Sequence, residues 1–172
     1  MKKMNVRMLT QISMLIALQL VLSRFLSIST DSLRIGFGFV PMALCGIMFG
    51  PYWGAIAYAL ADIIGAMLFY GSLNPLITIS VMIAGFCYGL FLHRENVRFF
   101  PNVALAVFAS CIICSGLITT FALSLYLGNP FIVQLTIRLP QILTAAVAEG
   151  AVIPILLQLN KSLVKHGLAA TY

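Results

Sequence analysis

The sequence predicts an all-α polytopic membrane protein with six transmembrane helices. Of its 172 residues, 62% are hydrophobic and only 8% carry a charge, which is more apolar side chain than one water-soluble core can bury. Apolar stretches of about 16 to 29 residues recur along the chain, and a helix needs about 20 residues to cross a bilayer. We therefore expect residues 1–172 to form a single transmembrane domain in contact with lipid, with no separate soluble domain.

Glycine, proline and asparagine divide this apolar sequence into helices. Gly50-Pro51 ends the second helix, Pro75 opens the fourth, and the run from Gly128 to Pro130 separates the fifth from the sixth. The predicted helices cover about 6–27, 35–50, 54–71, 75–93, 102–127 and 131–160. The second and third are short for a span, so a compact hairpin is the alternative to two full crossings.

The distribution of lysine and arginine predicts the orientation. An even number of spans puts both termini on one side, together with Lys2, Lys3, Arg7, Arg94, Arg98, Lys161 and Lys165. The other side receives Arg24, Arg34 and Arg138. Because positive charge concentrates on the cytoplasmic side, both termini are expected in the cytoplasm. The first helix lacks a small-x-small cleavage site, so we expect it to be retained rather than removed as a signal peptide.

The motifs of several other protein classes are missing from the sequence. It contains no G-x-x-x-x-G-K-[ST], H-E-x-x-H or G-x-S-x-G motif, so we predict no enzyme and no ATP hydrolysis by this chain. Cys111 and Cys114 form a C-x-x-C without a second ligand pair, so neither a metal site nor a cofactor is expected. The basic residues are not interleaved with stacking aromatics, which favours lipid contact over nucleic acid.

Three ionisable residues fall inside predicted helices, where burial is costly: Asp62, Arg138 and Glu149. Arg138 and Glu149 are eleven residues apart, so they share a helix face at a separation of about 16 Å, which excludes a direct salt bridge. A bound polar ligand is one candidate partner. The structural alternative is that either acid pairs with an arginine of another helix.

Arginines, aromatics and amides are expected to form a binding rim on the outer side. The substrate-binding candidates are Arg24, Arg34, Phe39, Tyr70, Asn74, Arg138 and Gln141. Guanidinium groups bind carboxylates bidentately and aromatic rings stack on flat molecules, so a flat, anionic, partly apolar compound would suit this rim. The alternative is that the arginines snorkel to the surface and the aromatics form an interfacial belt.

Residues 23 to 94 resemble the folate-specific S component of bacterial energy-coupling factor (ECF) transporters. The most specific pieces are RFLSI, LRIGFGFVP, MFGP and ADIIGA, and the Arg-Leu-Pro at 138 to 140 is also similar, whereas Glu149 departs from the family pattern. The resemblance implies a six-helix protein of the bacterial cell membrane that captures folate from outside. It also implies docking on a transmembrane coupling subunit joined to two cytoplasmic ATPases.

The resemblance also implies roles for individual residues. Arg24 and Arg34 would meet the carboxylates or the pterin carbonyl of folate, Phe39 and Tyr70 would stack on its rings, and the two rim amides or a buried carboxylate would pair with the pterin edge. Small residues of the first helix would dock on the coupling subunit; these are Ser13 and Ala17, continued by Val21.

Two alternatives stay open from the sequence. The chain could be an S component for another flat compound, such as a queuosine precursor or another vitamin. It could instead be a small proton-coupled secondary transporter that uses Asp62 or Glu149 as a relay.

Overall fold

The computed structural model describes residues 6–25, 27–29, 34–69, 73–93 and 99–165, with side chains described over 6–23, 36–69, 73–93 and 101–160. Within these residues the chain forms six helices. Numbered first to sixth, they are Val6–Phe25, Phe39–Phe49, Pro51–Phe69, Pro75–Leu92, 99–127 and Phe131–Lys165. The fifth consists of three consecutive segments, Phe99–Phe108, Ala109–Thr119 and Thr120–Leu127.

The predicted all-α membrane class is confirmed. Five of the described helices are long and apolar enough to cross a bilayer. The second helix, Phe39–Phe49, has 11 residues and a length of about 16 Å, which is shorter than a span. The third helix, with 19 residues, is long enough to cross a bilayer. Of the two helices that the sequence predicted to be short for a span, only the second is short. The two meet at Gly50, whose φ of 89° permits the abrupt turn.

A small β-hairpin separates the first and second helices, in a region where the sequence predicted a helix from about residue 35. Ser27–Ser29 (β1) pairs antiparallel with Arg34–Gly36 (β2), with Ile28 opposite Ile35. Backbone pairing between these strands delays the second helix to Phe39. The strand β2 also packs against the first and sixth helices. We call the end of the bundle that carries this hairpin the hairpin end, and the opposite end the terminal end.

The second, third and fourth helices pack with their backbones in contact at four glycines. A Cβ on Gly54 would lie 2.9 Å from the carbonyl oxygen of Gly85, and one on Gly46 would lie 2.9 Å from the amide nitrogen of Gly89. Any side chain at these positions would force the helices apart, as at other small-residue helix contacts in membranes. We call Gly46, Gly54, Gly85 and Gly89 the glycine unit.

The main apolar core lies toward the terminal end. It joins the second, fourth, fifth and sixth helices through Ala43, Ile47, Tyr88, Leu92, Val103, Ala106, Ile153, Leu156 and Leu157. Cys45, Cys111 and Cys114 are also buried, and Cys87 is partly buried. Within the described residues no group of three His, Cys, Asp or Glu side chains could hold a metal ion.

The middle of the fifth helix is π-helical over Ala109–Thr119, which we call the π segment. The wider turns of a π-helix leave some carbonyl oxygens outside the regular pattern of α-helical hydrogen bonds. In this protein hydroxyl groups donate hydrogen bonds to these oxygens. The hydroxyl of Thr119 donates to the carbonyl of Cys114 at 2.9 Å, and that of Thr120 donates to the carbonyl of Ser115 at 3.0 Å. Ser80 of the fourth helix also donates to the Cys114 carbonyl, at 2.8 Å. The π segment is therefore held by hydroxyls of its own helix and of a neighbour.

Candidate functional site

The buried face of the sixth helix carries a line of polar side chains. Gln134, Arg138, Glu149 and Asn160 are 0%, 5%, 6% and 2% exposed, and spacings of 4, 11 and 11 residues keep them on one face. Polar groups in membrane helices face the bundle interior and mark functional sites more often than lipid-facing ones do. Two of them, Gln134 and Arg138, lie in the half nearer the hairpin end, close to where the helix begins at Phe131.

The guanidinium of Arg138 meets neutral oxygens in the part of the chain that the structure describes. Its Nη1 lies 3.3 Å from the hydroxyl of Thr120 and 3.4 Å from the carbonyl of Ser115, and its Nε lies 3.5 Å from Oε1 of Gln141. These are long contacts for a group with five donors. A buried cation with neutral, distant partners is suited to receive a ligand carboxylate or carbonyl oxygen.

Gln134 lies one helical turn before Arg138 and is fully buried. Neither its amide oxygen nor its amide nitrogen has a hydrogen-bond partner within the described residues. Gln134 is not among the binding residues predicted from the sequence. Its spacing of four from Arg138 is the signal that places it on the same face.

The side chains of three predicted binding residues, Arg24, Arg34 and Tyr70, lie outside the described residues. The backbone of Arg24 is in the last turn of the first helix and that of Arg34 is in β2, opposite Ser29. Tyr70 lies wholly outside the described residues. Since β2 packs against the sixth helix, the hairpin brings the Arg34 backbone to the helix that carries Gln134 and Arg138.

The aromatic candidate Phe39 is buried at the start of the second helix. Its ring is tilted by 35° against that of Phe37, with 6.5 Å between the centroids. Phe37 is about half exposed, so the pair joins the bundle interior to its surface beside the hairpin. An aromatic pair of this kind can offer a face to a flat ring.

The two amide candidates have identified contacts. Asn74 caps the fourth helix, because its Oδ1 accepts a hydrogen bond from the amide nitrogen of Leu76 at 3.2 Å. Gln141 is half-buried and approaches Arg138 through its Oε1. The side-chain oxygen of Asn74 thus has a structural use, whereas Gln141 belongs to the surroundings of the buried guanidinium.

The two acids within the helices, Asp62, which is half-buried, and Glu149, which is buried, accept hydrogen bonds from hydroxyl groups of neighbouring helices. Asp62 accepts from Thr78 at 2.8 Å and Glu149 accepts from Ser110 at 2.5 Å. Ser110 lies near the start of the π segment, whereas Arg138 approaches Ser115 in its second half and Thr120 directly after it. Arg138 and Glu149 therefore contact opposite ends of this part of the fifth helix, and the contact of Glu149 is a hydroxyl rather than the arginine offered as the structural alternative.

The predicted docking residues share an exposed face of the first helix. Ser13, Ala17 and Val21 follow one another at intervals of four, and all three are exposed. This face is free of packing by the other described helices, so it can contact lipid or another protein.

A comparison with protein families identifies the chain. The family model described as "ECF transporter, substrate-specific component" matches residues 7–158. The chain belongs to this family. As a substrate-specific component of an ECF transporter, it is a multi-pass membrane protein of a transport system and not an enzyme.

Curated relatives and a solved structure agree with this assignment. The ECF component is 36% identical over 140 residues to a folate transporter FolT of Clostridium novyi, with 81% of this chain and 80% of the relative covered. It is 33% identical over 106 residues to a folate transporter FolT of Leuconostoc mesenteroides, with 61% and 57% covered. Its structure matches a crystal structure of FolT bound with folic acid, with a TM-score of 0.74, 28% identity, and 92% and 93% covered.

Proposed function

We propose that this ECF component is the high-affinity folate-binding S component of its transporter. The observation that carries the proposal is the 36% identity, over four fifths of both chains, to a protein named as a folate transporter. The likeness over 92% of the chain to FolT bound with folic acid supports it. Neither observation favours a queuosine precursor or a proton-coupled mechanism.

The proposed ligand fits the chemistry of the hairpin end. Folate combines a flat pterin, a benzoyl ring and a glutamate tail with two carboxylates. Arg24 and Arg34 are proposed to bind the carboxylates, and Phe39 and Tyr70 to stack on the rings. The buried guanidinium of Arg138, with its long contacts to neutral oxygens, supports the idea that this end receives a polar ligand group.

We further propose that the hairpin end faces outward and that both termini are cytoplasmic. The excess of lysine and arginine on the side of the termini supports this orientation. Folate would then be captured from outside at the hairpin end. Transport would follow docking on a transmembrane coupling subunit that is joined to two cytoplasmic ATPases.

Docking is assigned to the exposed face of the first helix formed by Ser13, Ala17 and Val21. Its small residues would let a helix of the coupling subunit approach closely. Ala17→Phe should therefore lower ATP-dependent folate uptake by the assembled transporter while leaving folate binding by the isolated protein unchanged. Ala104→Phe, at an exposed alanine of the fifth helix, is the matched control. Full uptake by the Ala17→Phe transporter would count against this face.

Ligand binding is tested with the detergent-purified protein. We expect folic acid to bind with nanomolar affinity in a titration, and pterin absorbance in any protein that retains its ligand during purification. Arg24→Ala should weaken binding at least tenfold, or about 1.4 kcal/mol, whereas Arg7→Ala near the other end of the same helix should not. A wild-type protein without folate binding would refute the proposed function. Unaltered folic acid affinity in the Arg24→Ala variant would remove only that residue from the site.

A further inference from the structure

Gln134 is a buried polar side chain whose hydrogen-bonding capacity is unused. It is 0% exposed, and both polar atoms of its amide lack a partner in the part of the chain that the structure describes. Burying an amide without hydrogen bonds costs free energy, and native structures contain few such groups. Polar side chains in membrane bundles usually bond across helices, but this one bonds to none of the described helices.

Its position links it to the site described above. Gln134 lies on the same face of the sixth helix as Arg138, one turn nearer the hairpin end. The sixth helix also packs against β2 and the second helix. An amide and a guanidinium therefore stand next to each other on an inward-facing surface. Because the amide is fully enclosed, a ligand that reaches it must displace neighbouring side chains.

The two unused atoms select the kind of ligand group. The amide oxygen only accepts hydrogen bonds and the amide nitrogen only donates them. An ionised carboxylate only accepts, so it would leave the oxygen of Gln134 unpaired. The pyrimidinone edge of a pterin carries an N–H donor beside a carbonyl acceptor, so it can pair with both atoms of a carboxamide at once.

We propose that Gln134 is a specificity-determining residue that pairs with the pyrimidinone edge of the pterin. This inference rests on the proposed function, since it requires folate as the ligand. The neutral pterin ring then lies inward beside Gln134 and Arg138, and the glutamate tail lies toward the hairpin, where Arg24 and Arg34 are. Burial of a neutral ring is less costly than burial of a dianion, which favours this direction.

The test separates ligand contact from internal packing. Gln134→Leu and Gln134→Met replace the amide by apolar groups of similar size. Folic acid affinity should fall at least tenfold in both variants. The thermostability of the ligand-free protein should stay the same or rise, because no internal hydrogen bond is lost. Gln158→Leu, at an exposed glutamine of the same helix, is the matched control for both measurements.

Several results would overturn the inference. Unchanged folic acid affinity in the two variants would remove Gln134 from the ligand contact while the proposed function stands. A loss of ligand-free thermostability in both variants, but not in Gln158→Leu, would show that the amide is bonded within the free protein. If the wild-type protein fails to bind folic acid, the proposed function falls first and this inference falls with it.

Discussion

The glycine unit and the pair formed by the fifth and sixth helices solve the same packing problem in different ways. At the glycine unit, the second, third and fourth helices touch through their backbones, and no side chain separates Gly54 from Gly85. Between the fifth and sixth helices, polar side chains fill the contact, and the backbone of the fifth helix departs from α-helical geometry over Ala109–Thr119.

This difference indicates which region can receive a ligand. Backbones in contact leave no space for a ligand between the helices, so the glycine unit acts as a rigid scaffold. In the described part of the chain, the pair of the fifth and sixth helices holds Arg138 on long contacts and Gln134 without hydrogen-bond partners, so it retains capacity for new hydrogen bonds. Substitutions in the scaffold should therefore change stability, and those of Gln134 and Arg138 in the helix pair should change binding.

The largest expected effect comes from Gly89→Val in the glycine unit. A side chain there would overlap the backbone of Pro51, which cannot move without separating the helices. We expect a loss of at least about 3 kcal/mol in stability, seen as a low yield of monodisperse protein and a lower midpoint in thermal melts. Gly150→Ala is the control, because a Cβ at this position meets no atom within 4 Å. Equal yields and equal melting midpoints for the two variants would refute the scaffold role of the glycine unit.

Arg138→Leu should affect binding more than stability. Among the described residues the guanidinium has long contacts to neutral oxygens, so its removal breaks no strong bond with them, whereas a ligand oxygen would lose its donor. We expect folic acid affinity to fall at least tenfold, or about 1.4 kcal/mol, in a titration. The folic acid affinity of the Arg138→Lys variant should lie between those of the wild type and of Arg138→Leu. Lysine keeps the positive charge but lacks the planar guanidinium that can donate two parallel hydrogen bonds. Wild-type affinity in Arg138→Leu would place the site elsewhere.

A smaller effect is expected from Ser80→Ala, which tests the support of the π segment from the fourth helix. The Ser80 hydroxyl donates to the Cys114 carbonyl and lies 2.8 Å from the Thr119 hydroxyl. Its loss should cost about 1 kcal/mol of stability, measured by thermal melts of the ligand-free protein. Thr136→Val is the control, since that exposed hydroxyl donates only to the carbonyl of Ile132 in its own helix. A cost no larger than that of the control would show that Ser80 does not support the segment.

The smallest effect is expected from Glu149→Gln. The amide oxygen can still accept from Ser110, and Glu149 lies three turns from Arg138. Folic acid affinity should therefore change less than about twofold, below 0.4 kcal/mol. The same variant tests the proton-relay alternative at Glu149, because a relay through this residue could not work without the acid. Uptake in proteoliposomes driven by a proton gradient alone, and abolished by Glu149→Gln, would contradict an ATP-driven mechanism.

The prediction from sequence succeeded for features that local composition controls. Apolar runs and the breaks at Gly50-Pro51 and Gly128 to Pro130 located the helices to within a few residues at most ends. It was wrong about the start of the second helix, because residues 34–36 pair with 27–29 instead of beginning a helix. That pairing depends on backbone hydrogen bonds between separate segments, which periodicity does not report.

The sequence by itself determined that this chain belongs in a membrane, that it is built from helices, and that its few charges need partners. Those properties follow from composition and from the cost of burying ions in lipid. The tertiary structure decided which partners the charges have, since Ser110 and Thr120 reach the sixth helix only when the fifth helix packs against it. It also decided that the Gln134 amide has no partner among the residues that the structure describes, because the surroundings of a buried amide are set by residues distant in sequence.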